Sequence, residues 1–191
     1  MPLSSLLPRR RGPRRRQARV PAEVLALVEA GQKVLAAVPV SPDRTRWALA
    51  LTGSLALVEG ERLQAWDWHQ VDRAKWEGTE RAFTLRWLDP EQAELVLVVP
   101  EVLELSGEQV DVDPNPFARV LRERVESVVV HRVSGELPGV GVVSVSVRRG
   151  RDGELLTAVS GVRAESLSEA DRKVLEELER RVRDGVGLPT E

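Results

Sequence analysis

The chain has 191 residues, no cysteine, 42% hydrophobic and 30% charged residues, and a formal net charge of −2. This length suits one domain, or one and a half, and allows a real core; the composition is that of a soluble globular protein. The missing cysteine excludes a disulfide framework, a thiolate metal site and a cysteine nucleophile, and it fits a cytoplasmic location.

Arginine dominates the basic residues. Lysine occurs only as Lys33, Lys75 and Lys173, and isoleucine and tyrosine are missing. We read this bias as codon drift in a high-GC bacterium, not as selection for arginine chemistry. The charge is also split along the chain. Residues 1–19 hold seven arginines and no acid, which leaves 21 basic against 30 acidic residues in 20–191. So acidic a body counts against a nucleic-acid-binding domain proper.

Residues 1–20 read MPLSSLLPRRRGPRRRQARV. A signal peptide places its charges before roughly 7–15 apolar residues; here the arginines follow a shorter apolar stretch. No later stretch approaches the roughly 18 apolar residues of a transmembrane helix. Pro2, Pro8 and Pro13 among like charges predict a disordered basic arm. Its candidate contacts to an anionic surface are Arg9, Arg10, Arg11, Arg14, Arg15, Arg16 and Arg19.

Pro21 to Ala30 predicts a short helix, with Val24, Leu25 and Val28 on one face and Gly31 as its stop. Strands are predicted at Gln32–Val40, Trp47–Thr52 and Leu55–Glu59, separated by Ser41-Pro42-Asp43, Gly53-Ser54 and Gly60-Glu61. The segment Trp66 to Trp87 holds four of the five tryptophans. Period-two alternation from Arg62 to Trp68, from Val71 to Trp76 and from Arg81 to Leu88 predicts three consecutive antiparallel strands in the middle of a small barrel. Glu77-Gly78-Thr79-Glu80 predicts a tight hairpin with glycine at positive φ. Glu94–Val99 gives a seventh strand, and Val102–Val112 reads as a connection.

After the proline-rich Asp113–Pro116, apolar residues recur at helical spacing from Phe117 to Val128. They predict a helix of about 115–128 with Asp113 or Asn115 as its cap. Val128–Val133, Gly139–Arg149 and Glu154–Val162 predict a three-stranded antiparallel unit with a turn at Arg151-Asp152-Gly153. Ser166–Arg183 predicts a final helix, capped by Ser166 with Glu169 or Ser168 with Asp171. Its apolar stripe is Leu167, Ala170, Val174, Leu178 and Val182, widened by Leu175.

About seven meandering strands and one capping helix, with Trp68-His69-Gln70-Val71 where a strand leads through a polar turn into a short hydrophobic strand, resemble bacterial pleckstrin-homology-like and GRAM-like barrels. The resemblance covers roughly residues 32–128. A set of actinobacterial proteins with a basic N-terminus, a WxxV segment and a second α+β portion is also similar. The expected fold is thus α+β: a basic arm (1–20), a PH-like antiparallel barrel with N-terminal and capping helices (21–128), and an α+β extension with a C-terminal helix (129–191). The resemblance implies a ligand-binding or adaptor module without catalysis. It carries over no headgroup site, because the loops between the first strands lack clustered Lys and Arg.

Little chemistry is legible. Asp111-Val-Asp113-Pro-Asn115 opens like a calcium loop, but that loop needs glycine at its sixth position and glutamate at its twelfth, where Pro116 and Arg122 stand. Gly139-Val-Gly141 is an incomplete dinucleotide fingerprint that leads into a strand, not a helix. His69 and His131 have no metal-ligand spacing. His69 could serve as a general base if Asp67 or Asp72 oriented it. Tryptophans beside Arg73, Lys75 and Arg86 could stack on single strands, although the acidic body favours packing in the core. No catalytic, metal or cofactor residue is expected. The expected function is a non-enzymatic binding or adaptor protein, cytoplasmic and peripheral to an anionic membrane through the arm. Nucleic-acid association through the arm and an enzyme using His69 are the alternatives.

Overall fold

The computed structural model describes residues 19–105, 107–162 and 167–189. Among these residues the chain is α+β, with antiparallel sheets and three helices. Helix α1 (Ala22–Ala26) precedes strands β1 (Val34–Pro39), β2 (Arg46–Leu51), β3 (Ser54–Glu59) and β4 (Arg62–Asp67), which pair in that order. A 3₁₀ turn at Trp68–Gln70 leads to a second sheet of β5 (Val71–Glu77), β6 (Ala82–Trp87) and β7 (Leu95–Val98). A hairpin of β8 (Val102–Leu105) and β9 (Glu108–Asp111) comes next, and then helix α2 (Asn115–Ser127). A third meander, β10 (Val129–Leu137), β11 (Gly141–Arg149) and β12 (Leu155–Ser160), is followed by α3 (Glu169–Asp184).

Each apolar pattern finds a different surface to bury. In β2 (RWALAL) every residue after Arg46 is buried. Trp47, Leu49 and Leu51 face a cluster completed by Val24 and by Val20, Leu27 and Val28 of the N-terminal segment. Ala48 and Ala50 face the main cluster between the two sheets and α2. The first sheet is therefore covered on both sides, which explains the near-continuous apolar run. Phe117 and Leu121 bring α2 onto the main cluster, and Phe117 meets Phe83 edge-on with ring centroids 5.3 Å apart. Beneath α3, Leu178 and Val182 pack on Leu137, Val143, Val145 and Val147.

Tryptophans fill these clusters instead of lining a stacking platform. Trp47, Trp68 and Trp87 are buried, and each indole N–H reaches a carbonyl, of Arg44 (2.9 Å), Leu51 (3.0 Å) and Ala93 (2.8 Å) respectively. Large aromatics of this kind stabilise a core only when the N–H is satisfied. Trp66 stacks on Trp87 with centroids 5.0 Å apart, and Trp76 meets Phe83 in a tilted contact at 4.4 Å.

The expected barrel differs in several ways. The tryptophan-rich stretch is not one three-stranded run. β4 pairs with β3 and β5 with β6, and the chain changes sheet at the 3₁₀ turn. The buried Trp68 anchors that turn, and Asp67 and Gln70 cap it reciprocally. The seven strands consequently form sheets of four and three and do not pair into a closed barrel. Val102–Asp111 is a hairpin, not a connection: Leu103 and Val110 are cross-strand partners and point inward. At the β5–β6 turn the left-handed residue is Arg81 (φ 49°), not Gly78. Arg81 holds that conformation while its guanidinium donates to the carbonyls of Val99, Pro100 and Val112 at 2.9–3.2 Å. Leu25 is exposed, because α1 has a single buried residue, Val24. In α3, Ala170 is exposed and Asp171 is buried.

Candidate functional site

Helix α2 crosses the gap between two sheet edges. β1 and β5 each have one strand neighbour, β2 and β6, so each turns an unpaired edge outward. Along β5 this leaves a trough between strand and helix. One part, about 490 Å³, is floored by Trp76, Phe83, Ala118 and Leu121. It continues past the shared residues Ala74 and Arg122 into a second part of about 440 Å³, where Val125 and Val129 form the floor. On the β1 side a cavity of about 380 Å³ lies between β1 and Pro116, Arg119 and Val120 of α2.

The periodicity of α2 explains the trough's character. Phe117, Leu121 and the half-buried Ala118 and Val125 face the core, while Arg119, Arg122, Glu123 and Glu126 stay exposed. Arg119–Glu123 and Arg122–Glu126 are helical pairs at 3.9 and 4.0 Å, and at such exposure each contributes only a few tenths of a kcal/mol. The second part of the trough has Arg73 from β5, Arg122 from α2 and Arg132 from β10 on its rim, with Asp72 and Glu126. Arg73 and Arg132 have no ion-pair partner among the described residues.

Behind Asp72 at the end of this trough lies Arg148, which is 1% exposed. It lies on the face of β11 opposite Val143, Val145 and Val147. From there its guanidinium crosses to the other sheet, donating to the carbonyls of His69 (3.0 Å) and Val71 (2.7 Å) and to Ser146 Oγ (3.1 Å). Asp72 is its counter-ion at 3.7 Å, and Nη2 has no hydrogen-bond acceptor. Burial lowers the guanidinium's pKa, Asp72 opposes that, and nearby Arg132 adds to it. β11 is thus buried on both faces, and its polar face joins the third meander to the start of β5.

The expected site residues are distributed differently. Arg9, Arg10, Arg11, Arg14, Arg15 and Arg16 lie outside the described residues, as does Ser166. Arg19 is exposed and lines the β1-side cavity. His69 sits in the 3₁₀ turn, where its carbonyl, not its ring, is engaged. Asp67 caps that turn and Asp72 pairs with Arg148, so neither orients the His69 ring. The His131 ring packs against Gly185, where a Cβ would meet its Cδ2 at 2.6 Å. Asp113 accepts hydrogen bonds from the Asn115 backbone and side chain, but neither residue is the expected cap: Pro114 holds the N-cap position of α2, without a side-chain cap, and Asn115 is the first helical residue. Gly139 lies in the β10–β11 turn and Gly141 opens β11 at φ 101°. Among the described residues no three His, Asp or Glu side chains gather to hold a metal ion, and no helix is long and apolar enough to cross a membrane.

Sequence reasoning did not find Arg73, Arg122, Arg132 or Arg148 as a group. The one local signal was Ser144-Val-Ser146-Val-Arg148, a polar face on a central strand, which reads as solvent-facing until a second surface covers it. Comparison with protein-family models, with curated proteins and with solved structures finds no match.

Proposed function

We propose that this protein is a non-enzymatic binding module of the pleckstrin-homology-like kind, and that the trough between β5 and α2 takes an extended segment of a partner protein. The observation that carries this is the unpaired β5 edge beside an apolar floor with a basic rim. An added strand satisfies the backbone groups of such an edge, and alternate side chains drop into the trough to give selectivity. Four strands, three strands and then a helix support the PH-like reading. The β8–β9 hairpin before α2 and the covered outer face of the first sheet are departures from it.

The test is selection of a displayed library of random twelve-residue peptides on the full-length protein. Enriched peptides are expected to protect β5 amides from hydrogen exchange and to lose binding on Ala118→Trp, which fills the trough from the helix side. Enrichment of nothing above background, or peptides indifferent to Ala118→Trp, would remove this reading. The Arg-rich arm supports a second element: residues 1–19 hold the acidic body reversibly to an anionic surface, the inner leaflet of a membrane before nucleic acid.

A further inference from the structure

We propose that the Val129 end of the trough is an anion pocket, in which Arg73, Arg122 and Arg132 receive a doubly negative group (a phosphate monoester or two adjacent carboxylates) carried by the docked segment. The inference rests on the trough being a segment-binding site and names what that segment brings. Arg73, Arg122 and Arg132 line this end together with the carboxylates of Asp72 and Glu126, and the buried Arg148 stands behind Asp72 as its ion-pair partner, so four guanidiniums share two carboxylates. Two positive charges are left over, in a body where residues 20–191 hold 21 basic and 30 acidic side chains. Arg73 and Arg132 face the cavity without a carboxylate of their own, and Arg122 reaches Glu126 only at 4.0 Å. Asp72 is already committed to Arg148.

Like charges collected in this way repel one another unless a ligand neutralises them, and a guanidinium matches a phosphate or carboxylate with two parallel hydrogen bonds. The floor of Ala74, Val125 and Val129 is apolar, so it accepts the stem of such a side chain, while the three arginines stand exposed around it. The pocket is an open depression between a strand, a helix and a neighbouring sheet, and it shares Ala74 and Arg122 with the apolar trough. That shape and the acidic body around it suit a narrow peptide and oppose close approach of a flat anionic membrane.

The experiment uses the full-length chain with four probes: inorganic phosphate, a degenerate seven-residue peptide pool with central phosphoserine, the same pool with serine, and vesicles containing phosphatidylinositol 4-phosphate. Arginine Nε–Hε resonances report each site. Phosphate is expected to shift those of Arg73, Arg122 and Arg132 and to leave Arg172, exposed on α3, unmoved. The phosphoserine pool is expected to bind at least tenfold more tightly than the serine pool. Arg73→Glu with Arg132→Glu should erase that difference, and Arg172→Glu, with the same charge change per residue, should keep it. Equal binding of both pools, with Ala118→Trp still abolishing it, overturns the anion pocket and leaves the trough reading standing. If neither pool binds while phosphate still shifts the three arginines, the trough reading falls and the peptide-borne anion falls with it. Vesicle binding that is lost on Arg73→Glu with Arg132→Glu, without binding of either peptide pool, assigns the pocket to a lipid headgroup and also overturns the proposal.

Discussion

Burying a guanidinium costs several kcal/mol unless its N–H groups find acceptors, and Arg148 finds them on a strand 77 residues away in sequence. Replacing it by methionine keeps much of the volume but leaves the Val71 carbonyl and Asp72 without their donor. Arg148→Met is expected to lower stability by roughly 3 kcal/mol, since hydrogen bonds to charged groups contribute about 1.5–3 kcal/mol each; urea unfolding measures this. An unchanged urea midpoint would mean that apolar contact alone holds the two sheets together. A second residue works through its charge. Asp171 is buried at the start of α3, and its carboxylate accepts from the Ser168 hydroxyl and the Gly139 N–H, which lower its pKa. A lowered carboxylate adds stability that is complete above the unfolded value near 4 and fades as pH falls through the lower folded value. Thermal midpoints of the wild type are therefore expected to drop more steeply below about pH 4 than those of Asp171→Asn. Parallel curves would show that Asp171 does not hold α3 through its charge. Ser168→Ala, which removes the cap and the hydroxyl that donates to Asp171, is expected to cost about 1 kcal/mol near neutral pH and less as Asp171 becomes protonated.

At the scale of elements, α3 approaches its sheet closely because Gly135 has no side chain. A Cβ there would sit 2.8 Å from Leu178 Cδ1. Gly135→Ala is expected to cost about 1–3 kcal/mol by overpacking, and Gly135→Ala with Leu178→Ala should cost less than the sum of the two single variants in the same urea measurement. If the single variant is neutral, the helix has room to move and the contact is loose. Elements of this kind were the legible part of the chain. α2 and α3 follow from apolar spacing, and α3 also from its Ser168–Asp171 capping box, and most strands follow from alternation plus a turn residue. Local signals decide such segments. The β8–β9 hairpin was not legible because Glu101, Glu104, Glu108 and Asp111 outnumber the inward Leu103 and Val110. The change of sheet at Trp68–Gln70 was not legible either, since alternation on both sides of the turn continues as though one sheet ran through it. The trough was hidden for a third reason. Its floor and rim come from β5, α2 and β10, brought together by Arg148, and no spacing along the chain encodes that meeting.

The whole molecule carries its charge unevenly, and this sets the last expectation. Residues 1–19 hold seven arginines with Leu3, Leu6 and Leu7 at the tip, against an acidic remainder. Arg19 stands exposed in the cavity between β1 and α2 and does not line the β5 trough. Each basic side chain near an anionic membrane contributes about 1 kcal/mol, falling off within a Debye length. That length shortens from about 10 Å at 0.1 M salt to about 3 Å at 1 M. Full-length protein is therefore expected to co-sediment with phosphatidylserine vesicles at low salt, to release steeply as salt rises, and to ignore neutral vesicles, since a few leucines hold too weakly alone. Changing Arg9, Arg10, Arg11, Arg14, Arg15 and Arg16 to alanine should abolish sedimentation without altering peptide binding in the trough. A chain starting at Val20 should behave the same way, because an acidic body is repelled by the same surface. Equal sedimentation of full-length and shortened chains would place membrane contact elsewhere on the molecule. Loss of peptide binding in the shortened chain would instead make the arm part of the trough's own charge balance, since the same arginines would then act on the body rather than on a membrane.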